Sequence, residues 1–251
     1  MTVAIVNDGP VRTISINRPK RRNAVDPATA TLLRVAFADF AADDSAAVAI
    51  LTGTGGFFCA GFDLTAVGTL GYDPDGPGPM GPTRMLLDKP VIAAVEGHAV
   101  AGGSELALWC DLRVASTTAV FGVYCRRWGV PLIDGGTVRL PRIIGQGRAL
   151  DMILTGRPVD ATEAFAMGLA DRLVPAGTAL KTAIALARDI AAFPHLCMRA
   201  DRMSAYQQWD ESVTNALVNE AHGGVTPLRE GATAGAKRFA DGAGRGGSFT
   251  K

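Results

Sequence analysis

The chain carries almost no net charge: 25 Lys and Arg stand against 24 Asp and Glu in 251 residues, a formal +1. Such a balance makes no field that would gather nucleic acid or an anionic membrane surface, so an anionic ligand has to be met by local groups. No apolar run reaches the ~18 residues that a membrane span requires. The start, MTVAIVNDGPVRTISINRP, lacks the basic-then-apolar order of a secretory leader. Neither membrane insertion nor secretion is expected. Cys59, Cys110, Cys125 and Cys197 are scattered without metal-ligand spacing, and so are His98, His195 and His222. A reduced cytoplasmic protein without bound metal is therefore expected. There is no phosphate-cradling glycine loop of Walker or dinucleotide type, no internal repeat and no low-complexity tract, so no nucleotide cofactor is expected.

What is present is ample apolar content, 48% of residues, enough for one large domain or a domain with an appendage. Val3 to Val6 and Val11 to Ile16 read as strands joined by the turn Asn7-Asp8-Gly9-Pro10. Asp26-Pro27 signals a helix start, and Leu33, Phe37 and Phe40 continue it at helical spacing. Strands then follow at Ala47 to Thr52, Pro90 to Val95 and Leu112 to Ala115, with a helix at Gly103 to Cys110. This alternation places the chain in the α/β class. Val67 to Pro82, dense in Gly and Pro, reads as a mobile loop or lid. Further helices are expected at Ala149 to Leu154, at Asp160 to Gly168 with Asp160 and Glu163 as a capping box, and at Ala179 to Ala192. Beyond Pro194 no strand signal remains. Residues 1–194 read as the α/β core and 195–251 as a helical appendage ending in a frayed tail, GAGRGGSFTK.

Chemistry concentrates in two glycine-bearing stretches, FFCAGFDL (57–64) and HAVAGGSELALWCD (98–111). Each ends an apolar run in a turn, so two backbone N–H groups can be aimed at one carbonyl oxygen that gains charge in a transition state. Glu105 beside the glycine pair would then handle the proton. On the residues alone, Glu105 equally fits an acid that complements a helix N-terminus, and each glycine a plain tight turn. Asp134, in PLIDGG, fits either a turn or a functional carboxylate. Cys125 reads as an inert small residue on a strand, since alternation forbids Arg126 and Arg127 from both facing it. Phe62, Tyr124 and Trp128 fit either an acyl pocket or core.

Taken in order and spacing, NRPKRRNA (17–24), FCAGFDL (58–64), KPVIAAVEGHAVAGGSELALWCDLRVAS (89–116), Phe121-Gly122 and TGRPVDATEAFAMGLADRLVP (155–175) resemble the crotonase superfamily, the enoyl-CoA hydratase/isomerase family. The resemblance implies a spiral of β–β–α units with C-terminal helices that pack trimers, often paired into hexamers. It also implies a coenzyme A thioester as substrate and no cofactor. The family's oxyanion-hole amides fall on Phe62 and Gly102. Segments around Ala24 and Ala60 are implied to lie along coenzyme A, with Arg21 and Arg22 near its phosphates. Gly61, Asp63, Cys125 and Trp128 complete the implied substrate site. Glu105 matches the first hydratase glutamate, whereas the second is replaced by Cys125. Asp134 corresponds to a position where other branches carry a catalytic aspartate. The expected activity is hydration or double-bond isomerisation of an enoyl-CoA through a stabilised thioester enolate, with Glu105 and Asp134 as the acid/base groups. A non-catalytic acyl-CoA binder is the alternative that the loss of a carboxylate at Cys125 keeps open.

Overall fold

The computed structural model describes residues 1–69 and 71–244. Two compact units are formed, Met1–Ile190 and Ala191–Lys251. In the first, β1 (Val3–Asp8) and β2 (Val11–Ile16) make the opening antiparallel hairpin. Asp26 then caps α1 (Pro27–Ala42), its side chain accepting from Thr29 N–H at 2.8 Å, and proline occupies the first helical position where no donor is lost. Leu33, Phe37 and Phe40 bury the inner face of α1 completely.

From β3 (Val48–Gly53) onward the chain winds between two sheets. β4 (Val91–Val95) joins the large sheet and β5 (His98–Val100) the small one, followed by α2 (Gly102–Trp109). The turn repeats with β6 (Leu112–Ser116) and β7 (Val120–Gly122), followed by α3 (Gly136–Ile144) and α4 (Gln146–Thr155). β8 (Val159–Asp160), α5 (Ala161–Ala166), β9 (Arg172–Val174) and α6 (Ala179–Ala191) close the series. The large sheet has the order β1-β2-β3-β4-β6-β9, parallel from β2 on, and the small sheet the order β5-β7-β8. β4 is buried at every residue, as a parallel strand covered on both faces should be. Two buried cations serve this frame. Lys89 donates to the α1 carbonyls of Phe40 (3.1 Å) and, just past the end, Asp43 (2.8 Å), where a helix C-terminus favours positive charge. Arg113 donates to Leu169 O at 2.7 Å and pairs with Asp171 at 2.7 Å.

All regular elements among the second unit's described residues are helical: α7 (His195–Gln207) with a 3-10 turn after it (Gln208–Asp210), α8 (Val213–Gly223), the short α9 (Val225–Pro227) and α10 (Thr233–Ala240), with Leu228–Ala232 as a π-helical turn. The tail from residue 245 lies outside the described residues, as does Leu70.

Several expectations need correction. Cys125 sits in a 3-10 turn, Tyr124–Trp128, and not on a strand, so strand alternation does not govern it or its arginine neighbours. α3 escapes the sequence pattern, and β5, β7, β8 and β9 are too short to show a period. At α5 only half of the capping box forms. Asp160 accepts from Glu163 N–H at 2.8 Å, but the Glu163 carboxylate is bound by Arg157 at 2.6 Å. Within 67–82, Val67–Thr69 end a 3-10 turn (Leu64–Thr69), against the expectation of no regular element, while 71–77 are irregular and mostly exposed. The end of the stretch is not exposed: Gly78, Met80, Gly81 and Pro82 are buried, and Met80 N–H donates to Asp134 Oδ1 at 3.0 Å.

Candidate active site

Two isolated bridges frame the site: Val25 pairs with Phe62, tying the first glycine-bearing stretch to the segment before α1, and Cys59 pairs with Ala99, joining the two glycine-bearing stretches. The first uses Gly61 C=O, which accepts from Val25 N–H at 2.8 Å, and Asp63 N–H, which donates to Val25 O at 2.8 Å. Since successive peptide groups of an extended segment point to opposite edges, Phe62's own N–H is turned away from Val25. The other N–H belongs to Gly102, the first residue of α2 and hence without an intrahelical acceptor. Neither N–H has an acceptor among the described residues. Both residues line one cavity of about 520 Å³.

The close approach explains the glycines. A Cβ on Gly61, whose φ is +98°, would lie 2.9 Å from Ala101 Cβ and 3.0 Å from Gly102 N. One on Gly102 would lie 2.6 Å from Met80 Sδ, and one on Gly103 would collide with Cys59 O. The left-handed residue at this turn is Ala101, with φ +53°, a conformation that costs a non-glycine residue about 1–3 kcal/mol and that aims the following N–H.

Glu105 lies in the first turn of α2, 3% exposed. Its Oε1 accepts from Asp134 N–H at 2.8 Å and from Gly136 N–H, at the start of α3, at 2.9 Å. Oε2 has no partner among the described residues and is not sealed from solvent, and Glu105 lines the cavity. Burial, and then the neighbouring Asp134 carboxylate, lift the Glu105 carboxyl to about 7 against the pull of the two N–H donors and Arg139. Such a group can either give or take a proton near neutral pH.

Asp134 lines the same cavity and is buried, and burial raises its carboxyl too, although Thr83 and Met80 N–H oppose the rise. Its Oδ1 accepts from Met80 N–H and the Thr83 hydroxyl, leaving Oδ2 without a partner among the described residues. Cys125 is at this cavity as well. Burial and the Glu105 carboxylate push its thiol up, so it is protonated at neutral pH and cannot serve as a base.

Of the remaining candidates, Arg22, Ala60 and Trp128 line the cavity, while Arg21, Ala24, Gly61 and Asp63 do not. Arg21 instead approaches Asp63 at 3.7 Å and donates to Thr65 Oγ1 at 3.3 Å. Met80, Tyr72, Tyr124 and His98 also line the cavity. Met80 carried no signal, because a Gly/Pro-rich loop has no period to mark its inward residue. The sequence leaves Tyr124 open between pocket and core, and gives His98 no spacing that marks it. Among the described residues no cluster of three His, Cys, Asp or Glu could hold a metal, and no helix is long and apolar enough to cross a membrane.

The sequence model of the family described as "Enoyl-CoA hydratase/isomerase" matches residues 7–222. An enoyl-CoA hydratase, EchA19, of Mycobacterium tuberculosis is 40% identical over 198 residues, 74% of this chain and 73% of that protein. A carnitinyl-CoA dehydratase of Salmonella arizonae is 38% identical over 205 residues, 79% of this chain and 78% of the relative. Among solved structures, that of enoyl-CoA hydratase EchA1 from Mycobacterium marinum superposes with a TM-score of 0.91 at 36% identity, covering 96% of both chains.

Proposed function

The chain belongs to the enoyl-CoA hydratase/isomerase family, and we propose that it carries out proton transfer on an enoyl-CoA thioester whose carbonyl oxygen is held by the Phe62 and Gly102 amides. One observation carries this reading. Two N–H groups without acceptors and a carboxylate oxygen without a donor belong to residues lining one cavity, and the carboxylate is raised to about 7. Donors fixed before reaction stabilise charge as it develops on the thioester oxygen, at no reorganisation cost. Glu105 Oε2 then removes or delivers a proton beside the carbonyl, its other oxygen tethered by Asp134 and Gly136 so that the carboxylate keeps its aim. Asp134 Oδ2 is the second carboxylate oxygen of the cavity. Arg22, at the cavity, supplies positive charge for the coenzyme A phosphates, with Arg21 next to it in the chain, and Ala60 lines the path of the coenzyme A arm, with Ala24 and Gly61 behind that wall. Cys125 and Trp128 border the acyl group.

The chemistry is acid–base and asks nothing of a cofactor. Relatives named for hydration and for dehydration of CoA thioesters fit it. Because the resemblance puts a carboxylate where Cys125 stands, double-bond isomerisation, which a base with one assisting carboxylate can perform, gains weight beside hydration. The C-terminal helices are read as the surface that assembles trimers or hexamers. Three buried free thiols, Cys59, Cys110 and Cys125, support a cytoplasmic location.

The test is an assay of hydration and of double-bond isomerisation over a series of enoyl-CoA chain lengths. Glu105→Gln should lower turnover of any accepted substrate by ~10²–10⁴-fold while leaving thioester affinity within a few-fold. Cys125→Glu should raise hydration relative to isomerisation. A wild-type protein that binds acyl-CoA saturably but turns over neither reaction would overturn the catalytic reading in favour of a binder.

A further inference from the structure

Asp63 follows Phe62 directly, is buried, and does not line the cavity. Its Oδ1 accepts from Thr65 Oγ1 at 2.7 Å and from Thr65 N–H at 3.2 Å, and its Oδ2 from Arg18 Nη2 at 3.3 Å. The Thr65 hydroxyl above all, with help from Arg21 and Arg18, holds this carboxyl below the usual range, so it is ionised at neutral pH. Arg18 divides its guanidinium between Asp63, Asp26 Oδ2 at 2.8 Å and the carbonyl of Ala24. The base of this arrangement is rigid. Asn23, fully buried and left-handed at φ +56°, accepts from Arg18 N–H at 2.9 Å and donates to Thr54 O at 2.8 Å and Phe57 O at 2.7 Å.

These contacts tie together the two segments whose bridge orients the Phe62 peptide. That bridge belongs to no ladder: its two backbone hydrogen bonds are flanked on one side by Ala60 N–H donating to Arg22 O at 3.0 Å, and on the Asp63 side by none among the described residues. In a sheet, pairs on both sides would keep the plane of a peptide; here only the Ala60 side is held by backbone, which leaves the Phe62 peptide room to tilt at its Asp63 end. The Arg18 fork spans the pair from Ala24 to Asp63, on either side of Val25 and Phe62, and so restrains the tilt. Arg18 and Asp63 offer no group to a ligand in the cavity, which distinguishes them from a binding pair.

We propose that the Asp63–Arg18 ion pair is a positioning device for the Phe62 amide, and that it sets how strongly the thioester carbonyl is polarised; this rests on the oxyanion reading above. The measurement is the infrared carbonyl stretch of an isotopically labelled saturated acyl-CoA, of the chain length that binds most tightly, together with steady-state kinetics. In the wild type the stretch should move to lower frequency on binding. Asp63→Asn keeps the acceptor for Thr65 but loses the charge that holds Arg18; it should lose most of that displacement and at least tenfold in kcat, with KM within threefold, since small misplacements of an oxyanion donor are costly. Arg18→Lys, which keeps charge but not the fork, should do the same and decides the matter if Asp63→Asn fails to fold. Unchanged displacement in a folded variant, whatever happens to kcat, would overturn the proposal, and so would a loss confined to KM. If the wild type itself shows no displacement, the oxyanion reading fails, and the positioning role with it.

Discussion

The carboxylate of Glu105 combines two features that rarely coincide: strong fixation and a high proton affinity. Its fixation comes from one oxygen taking two N–H groups, and its proton affinity from burial beside Asp134. The consequence for stability can be worked out. The carboxyl titrates near its ordinary value of 4.5 in the unfolded chain and at about 7 in the folded one. Between those values the folded protein retains a proton that the unfolded chain has released. Stability therefore falls as pH rises through this window and levels off above it, by about 3 kcal/mol for this residue. Glu105→Gln keeps the acceptor for Asp134 and Gly136 and removes the charge. At pH 8 it should be more stable than the wild type by about 1–3 kcal/mol, with the gap closing near pH 4, when denaturant unfolding of both proteins is compared. Equal midpoints at pH 8 would mean that Glu105 carries its charge without strain.

At the scale of elements, the site is a meeting of turns. Gly61 and Gly56 show why one glycine matters there and another does not. Both have positive φ, +98° and +79°, yet a Cβ at Gly56 meets nothing within 4 Å while one at Gly61 strikes Ala101 and Gly102. Each Gly→Ala change should cost about 1 kcal/mol or more in backbone strain. Only Gly61→Ala should also separate the Phe62 and Gly102 amides and lower turnover, by ~10²-fold. Gly56→Ala should retain turnover when the two are assayed side by side. Loss of activity in both would place the effect in general destabilisation. A second contact of elements explains a helix that the sequence does not announce. α3 starts at Gly136 with no capping side chain of its own, and its first N–H is taken by Glu105, 31 positions earlier. Cap signals are read from adjacent residues, so a cap delivered across the fold leaves no local trace.

At the scale of the molecule, the C-terminal unit presents apolar side chains on α8, on the turn after α9 and on α10. Val213, Leu217, Leu228 and Phe239 are each at least 60% exposed in the single chain. The trimer or hexamer proposed above would cover such a surface. Light scattering at micromolar concentration should give the mass of a trimer or a hexamer, and Leu217→Glu combined with Phe239→Glu should shift it toward smaller species. A wild-type monomer would contradict the assembly.

What the sequence determines is local and periodic. The Asn7-Asp8-Gly9-Pro10 turn between β-rich runs, Asp26-Pro27 before a helical apolar period, and the long buried strands could all be read directly, because the forces that set them act between neighbours in the chain. The ordered motifs reached further, to the family and to Phe62, Gly102 and Glu105 as candidates. The tertiary structure decided what those residues face. It spent Asp63 on Arg18, placed Cys125 in a turn, brought Met80 over Gly102, and joined Glu105 to Asp134 and Gly136. Apart from the Cys125 turn, each of these is a contact between segments tens of residues apart, and its energy comes from burial and from hydrogen-bond partners that no window of local sequence contains.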